Sequence, residues 1–500
     1  MKHPWIKKWE TAGIALVFLL LTACQGQGTD TDPATAFPGT VAPASAEITT
    51  GSPAFTDFLN SSAVTKEEPS ASEFISVTQT AAASTVPETT VPPVTTPDTI
   101  TTGTPETTKA PSTTNSPETT KIPETTKTPE TTVPNLPKVR VPLTDSSSVI
   151  TLMEDVMSNN LGVGMQAAVF SGGVLTAEYA AGLAIWDSSH PKNNVPMTTS
   201  HLIRCASLSK TVLAICAARM TELGMLDLDA PIGTTYWGQK FPVEFSMQDI
   251  LTHTSPIYNM EDYYKSSTSA TLALLLNRNN YRFSETGKYY SYNNYAVGIG
   301  GATIELILGG STQAFMENYF YRDMQSEATW FPGDRQTGTY AYLYSYGTWL
   351  AMDLDDIKDR KDLGAGANSW VYAGGVFTSA GDLAKMYAML ANDGVYAGKR
   401  YLEADTVAMM ETSRRSVTED GITFDQCLIL RHRENIYGQE ELFYHTGSAF
   451  GVHAVAMYNP ITTQGVVILT NGSGTRKDDN HIYSVCSLVA EALLNGEYFK

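Results

Sequence analysis

A serine and a lysine three positions apart, Ser207 and Lys210, run into the apolar stretch Thr211 to Ala218, which the pattern predicts to be a helix. An α-helix turns once every ~3.6 residues, so side chains three apart share a face. At the first turn of such a helix, backbone N–H groups point outward unsatisfied and an amine can take the proton of a neighbouring hydroxyl. A serine held there against a lysine has the geometry of an acyl-transfer nucleophile. The same spacing recurs at Ser189 and Lys192. That copy contains Pro191 and polar neighbours, so no helix would hold its serine against its lysine.

The elements that must position this pair lie in the last two-thirds of the chain. Val149, Ile150, Met153, Val156 and Met157 recur at helical spacing. Two apolar runs, Met165 to Phe170 and Val174 to Ala181, are joined by Ser171-Gly172-Gly173, a hairpin signal. The helix after Ser207 is expected to end at Gly224. Residues 245–410 look largely helical, with long connections. Strands are expected at Cys427 to Leu430, Leu442 to His445, His453 to Tyr458 and Val466 to Thr470, then a last helix at about Ile482 to Leu494. Hairpin and helix in front, strands behind and helices between imply one mixed α/β (α+β) domain over 146–500. Its sheet would join both ends of the chain around a helical insert.

The preceding third is different. Lys2, Lys7 and Lys8 flank a short apolar core, Ile14 to Leu21, too short to span a bilayer. That core ends in Leu21-Thr22-Ala23-Cys24, which resembles the lipobox of bacterial lipoproteins. Residues 1–23 would then be a signal peptide and Cys24 the lipidated anchor; an ordinary cleaved signal is the alternative. Residues 24–145 are dominated by Thr, Pro, Ser, Ala and Glu, with Pro-Glu-Thr-Thr starting at Pro87, Pro105, Pro117, Pro123 and Pro129. Such a segment has too little apolar content to offset its ordering entropy, so it is expected to be a disordered tether. Fully extended it would reach ~350 Å, and as a flexible coil ~60 Å. The expected location is outside the cytoplasm, lipid-anchored at the membrane and reaching into the cell wall. A glycosylated stalk is compatible with this.

A formal charge of −19 over 500 residues argues against a nucleic-acid partner, which requires a basic footprint. The five cysteines, Cys24, Cys205, Cys216, Cys427 and Cys486, are scattered with no Cys-x-x-Cys or His-rich cluster, so a zinc site is not expected. The four in the folded part are expected to be small buried apolar residues rather than disulfide partners.

Further landmarks follow Ser207-Leu208-Ser209-Lys210 in order: Tyr292-Asn293-Asn294, then His445-Thr446-Gly447. Between and after them stand Ile250 to Ser255, Gly374 to Asp382 and Gly465 to Asn471. Together these resemble the serine β-lactamase and penicillin-binding protein superfamily, in its class C and D-alanyl-D-alanine carboxypeptidase branch. The resemblance covers about 148–495. It implies the β-lactamase/transpeptidase-like fold, an antiparallel sheet flanked by helices with a helical subdomain. It implies serine chemistry with no metal or cofactor, with Ser207 as nucleophile, Lys210 as base and Tyr292 as the proton-passing partner. Asn294 would bond Lys210 and the substrate amide, and His445, Thr446 and Gly447 would bind substrate. The oxyanion would be held by the backbone N–H groups of Ser207 and of Ser448, at the start of a turn after Gly447.

Ser291-Tyr292-Asn293 also fits a Ser-x-Asn second motif, but counting forward to Gly301 and Glu305 favours Tyr292-x-Asn294. His445 departs from the Lys-Thr-Gly form. With an ordinary pKa near 6.5, it would carry a weaker, titratable charge for a substrate carboxylate, so capture should fade as pH rises. His253 and Thr254 are expected to hold a loop near the pocket. The implied substrates are D-Ala-D-Ala-type wall peptides (peptidoglycan) or β-lactams. The alternatives are an esterase or amidase of the same fold, and a non-catalytic wall-binding lipoprotein.

Overall fold

The computed structural model describes residues 140–499 apart from 284–286, 288 and 347–348. The expected signal peptide, the tether and Cys24 lie outside the described residues.

Nine antiparallel strands form the main sheet. In chain order they are β1 (Gly164–Ser171), β2 (Val174–Ile185), β3 (Val195–Pro196), β4 (Arg415–Glu419), β5 (Ile422–Gln426), β6 (Arg431–Ile436), β7 (Gln439–Ala449), β8 (Val452–Asn459) and β9 (Gln464–Thr470). Their spatial order is β4-β5-β6-β7-β8-β9-β1-β2-β3. The chain ends therefore meet in mid-sheet, where Gly465 of β9 pairs with Phe170 of β1. The expected hairpin closes through Gly172 and Gly173, both at positive φ (60° and 73°), the backbone that a two-residue hairpin turn demands.

Helices cover both faces. On one face lie α1 (Ser146–Asn159) and α5 (Ser484–Asn495). Asp145 caps α1, accepting from the Ser148 N–H at 2.9 Å, and the helix buries Val149, Leu152, Met153, Val156 and Met157 against the sheet. Opposite lie α2 (Ser209–Glu222), α3 (Asn294–Leu308) and α4 (Ala380–Ala391), within the larger core and the helical insert. β8 is buried at every position, which is why its sequence runs apolar instead of alternating. α2 is buried almost all round; Gly224, just beyond it, takes φ 68° and ends it as expected.

Three expectations need correction. Cys427 to Leu430 is a buried loop, not a strand: Ile429 takes φ 66° and its N–H bonds the Leu251 carbonyl, so the apolar run plugs the helical insert. The domain includes residues before Ser146, with a strand Arg140–Pro142 paired to Glu497–Phe499. Ser207 sits in a short 3₁₀ turn, Ala206–Leu208, and the α-helix proper starts at Ser209.

Candidate active site

Ser207 is presented by a tightly fixed turn. Within residues 201–218 it is the one position that is not buried. Ala206 before it takes φ 49°, a left-handed conformation that costs a non-glycine residue roughly 1–2 kcal/mol. The hydroxyl of Ser209 ties the turn down, donating to the Ala206 carbonyl at 2.6 Å and accepting from the Val376 N–H at 3.0 Å.

Two groups converge on Ser207 Oγ: Lys210 Nζ at 3.0 Å and the Tyr292 hydroxyl at 2.9 Å. Lys210 is fully buried, and burial pulls its pKa from 10.5 down to about 7. Its amine also donates to the Ala373 carbonyl at 2.6 Å and lies 4.9 Å from the Tyr292 ring centre. Burial pushes Tyr292 the other way, up to about 12. At neutral pH the amine is thus the group that can accept a proton, and the phenol keeps its own.

Tyr292 stands just before α3 and is wedged by His253, whose ring centre lies 4.4 Å from it. His253 Nδ1 accepts the Asn293 N–H at 3.2 Å, and its backbone carbonyl accepts the Ser291 N–H at 2.8 Å. His253 therefore holds the loop beside the pocket, in line with expectation. Ser291 points elsewhere, its hydroxyl accepting from Arg282 at 3.3 Å. Of the two overlapping second motifs, only Tyr292-x-Asn294 reaches Ser207.

The third motif lies on β7, whose pairing with β6 stops at Tyr444. Beyond that point the strand runs along the nucleophile's turn instead. A Cβ added at Gly447 would come within 2.5 Å of the Cys205 carbonyl oxygen, so a glycine lets strand and turn touch. A cleft of about 360 Å³ lies between them, lined by Ser207, Tyr292, Asn294, His445, Thr446 and Ser448 among others.

Three site expectations change. Asn294 does not bond Lys210: its Nδ2 donates to the Glu261 carboxylate at 2.8 Å, and the Ala373 carbonyl takes the amine. The Asn294 Oδ1 is buried with no partner among the described residues. Ser448 lies within β7, not in a turn; its hydroxyl donates to Tyr483 at 3.1 Å. His445 is not a titratable cation near neutrality. Burial, reinforced by the charges of Lys210 and Arg431, holds its pKa well below 6.5. Its Nδ1 lies 2.7 Å from the Thr446 carbonyl, an acceptor only, so Nδ1 carries the ring proton.

Sequence reasoning missed two contributors. Arg431, at the start of β6, stacks on Phe424 at 4.2 Å and donates to Tyr290 and Glu419, placing a paired guanidinium in the cleft. No spacing along the chain ties it to Ser207. The Ala373 carbonyl adjoins the Gly374-Gly375 landmark, which was the available signal.

Residues 150–486 match the sequence profile of a family described as Beta-lactamase. Among solved structures, the chain is similar to a class C beta-lactamase (TM-score 0.56, 19% identity, 70% of this chain and 97% of that one). It is similar also to the octameric penicillin-binding protein homologue from Pyrococcus abyssi (TM-score 0.56, 18% identity, 71% and 78%). A third is SurE with D-Leu (TM-score 0.54, 20% identity, 70% and 75%). At such identities the likeness is one of fold. Members of this family are generally serine hydrolases. The profile match spans well over half of the sequence, and the chain belongs to the Beta-lactamase family.

Proposed function

We propose that this protein is a serine acyl hydrolase that forms a covalent acyl-enzyme on Ser207, acting on D-Ala-D-Ala-type peptides or β-lactams. The observation that carries the reading is the convergence on one serine oxygen of a buried amine near pKa 7 and a protonated phenol. Ser207 Oγ attacks the carbonyl carbon and its proton passes to the Lys210 amine. The oxyanion is held by the Ser207 and Ser448 N–H groups. As the C–N bond breaks, Tyr292 gives its proton to the leaving nitrogen and is reprotonated from Lys210. Water then cleaves the ester by the reverse path. Asn294 lines the cleft, and a turn of its side chain would bring its amide oxygen, unpartnered among the described residues, to the substrate amide N–H.

With His445 neutral and Arg431 paired to Glu419, a substrate carboxylate needs another cation. Lys477 lines the cleft, has no acidic partner among the described residues, and lies 5.3 Å from the Tyr483 ring. We assign it to that carboxylate. A second reading, an esterase for uncharged acyl groups, is favoured by Glu419 and Asp420, which set two acidic side chains on the cleft. In either case the tether at 24–145 and lipidation at Cys24 would hold the enzyme at the outer membrane surface, near peptidoglycan. A Cys24→Ser change should release it to the soluble fraction.

The test is an intact-mass time course with benzylpenicillin and, separately, an acyl-D-Ala-D-Ala peptide, with Ser207→Ala as control. A long-lived penicilloyl adduct with peptide turnover indicates a carboxypeptidase. Penicillin hydrolysis through a fleeting adduct indicates a β-lactamase. Turnover of activated esters alone selects the second reading, and no adduct with any of them sinks the proposal.

A further inference from the structure

The proposed chemistry leaves unused a carboxylate with no accessible surface at all. Glu305 lies on α3, fully inaccessible, and three donors converge on it. Oε1 accepts from the Tyr372 hydroxyl and from Asn368 Nδ2 (2.7 Å), and Oε2 accepts from the Gly366 N–H (2.9 Å). Burial raises its pKa to about 7, against the lowering effect of those donors. A carboxylate at such a depth is costly unless it is hydrogen-bonded, so the three donors and the carboxylate hold one another in place. All three donors belong to one segment, residues 366–372, and the next residue is Ala373, whose carbonyl receives the Lys210 amine.

The packing agrees. α3 meets this segment through its glycines: a Cβ at Gly301 would lie 2.1 Å from the Tyr372 ring, and one at Gly298 2.3 Å from the Ser369 carbonyl. From the other side, Arg204 Nε donates to the Gly374 carbonyl at 2.6 Å. Ala373 is thus gripped on both flanks, by Glu305 before it and by Arg204 after it. α3 follows directly on Tyr292, so one rigid helix bears on both groups that reach Ser207 Oγ.

We propose that Glu305 is a positioning residue for the Lys210 amine, acting through Asn368 and Tyr372 to aim the Ala373 carbonyl. The inference rests on Ser207 being activated by Lys210. A carboxamide at position 305 can accept on only one oxygen, so at least one of the three donors loses its partner and the segment shifts. A shift of about 1 Å in a catalytic contact costs on the order of 10²-fold in rate. Withdrawing the carbonyl removes an acceptor that favours the ammonium over the amine. The inflection in the pH dependence of Ser207 reactivity should therefore move down. The other groups that bear on Lys210 stay in place: Glu261, Arg204 and Arg431 as charges, the Cys205 thiol held protonated by burial, and His253 and His445 held neutral.

The test measures phosphonylation of Ser207 by a fluorophosphonate between pH 5 and 10, by intact mass on the full-length protein. In this step Oγ bonds to phosphorus, fluoride leaves and the serine proton passes to Lys210. Wild type should show an inflection near pH 7. Glu305→Gln should label on the order of 10²-fold more slowly per folded molecule, with its inflection at lower pH. Tyr372→Phe, which keeps the ring and removes one donor, should show a smaller change in the same direction. A wild-type rate and inflection in Tyr372→Phe overturns the proposal whatever Glu305→Gln does. So does a Glu305→Gln loss that merely follows the folded fraction, with the inflection unmoved. Phosphonylation needs no acyl substrate. A wild type that labels yet turns over neither penicillin nor peptide sinks the substrate assignment and leaves this test standing.

Discussion

At the residue scale, the site works by moving two proton affinities in opposite directions with the same physical cause. Burial disfavours the charged form of each, so the Lys210 ammonium becomes acidic and the Tyr292 phenol becomes more reluctant to ionise. Replacing Tyr292 by Phe should lower the acylation rate roughly 10²–10³-fold while leaving adduct formation detectable. Ser291→Ala should acylate at the wild-type rate, because Ser291 faces Arg282 and not Ser207. The reverse pattern would move the second motif by one residue. Lys210 also carries a stability cost. Lowering its pKa from 10.5 to about 7 corresponds to on the order of 4–5 kcal/mol, at ~1.4 kcal/mol per tenfold change in proton affinity. Below about pH 7 both folded and unfolded chains hold the proton and the cost is complete. Between about 7 and 10.5 only the unfolded chain holds it, so stability rises with pH. Allowing for its lost hydrogen bonds, Lys210→Met should be inactive yet more stable than wild type by ~2 kcal/mol or more at pH 6. Denaturant titrations at pH 6 and pH 10 check this: the gap should narrow at the higher pH.

At the element scale, the cleft exists because β7 outruns β6. The stretch after Tyr444, still paired to β8 on its other edge, docks on the Ala206–Leu208 turn, and Gly447 sets how closely they approach. Gly447→Ala would push its Cβ into the Cys205 carbonyl, and backbone cannot yield as a flexible side chain does. The expected outcome is an acylation rate down ~10²-fold or more, with unfolding free energy reduced by only ~1–3 kcal/mol. Stopped-flow acylation and a denaturant titration on the same sample separate the two. A variant that loses stability but keeps its acylation rate would mean that strand and turn are not coupled.

At the scale of the whole molecule, two cores on opposite faces of one sheet hold the domain together, and its thiols are part of them. Cys205, Cys216, Cys427 and Cys486 are all buried and unpaired, as the expectation of small apolar residues had it. Burial pushes the Cys205 and Cys427 thiols up to about 12, which removes the reactive thiolate. Ellman's reagent should therefore leave these four untouched in the native protein at pH 8 and modify all of them in denaturant without a reductant. Fast native labelling at any of them, or fewer than four after unfolding, would overturn that description.

What could be learned from the chain alone was what depends on local order. Periodicity of three to four and of two located α1, the β1–β2 hairpin and the strands β8 and β9, because burial of one face or both imprints itself on neighbouring residues. The spacing of Ser207 and Lys210, and the order of the three motifs, identified the nucleophile and its surroundings. The spacing to Gly301 and Glu305 also favoured Tyr292-x-Asn294 among the two overlapping second motifs, and the contact of Tyr292 with Ser207 agrees. Tertiary structure alone decided that His445 is neutral, that Asn294 binds Glu261, and that Ala373 and Arg431 belong to the site. Each of these depends on burial depth or on a partner distant in sequence. Desolvation and Coulomb interactions follow distance in space, and no pattern along the chain encodes them.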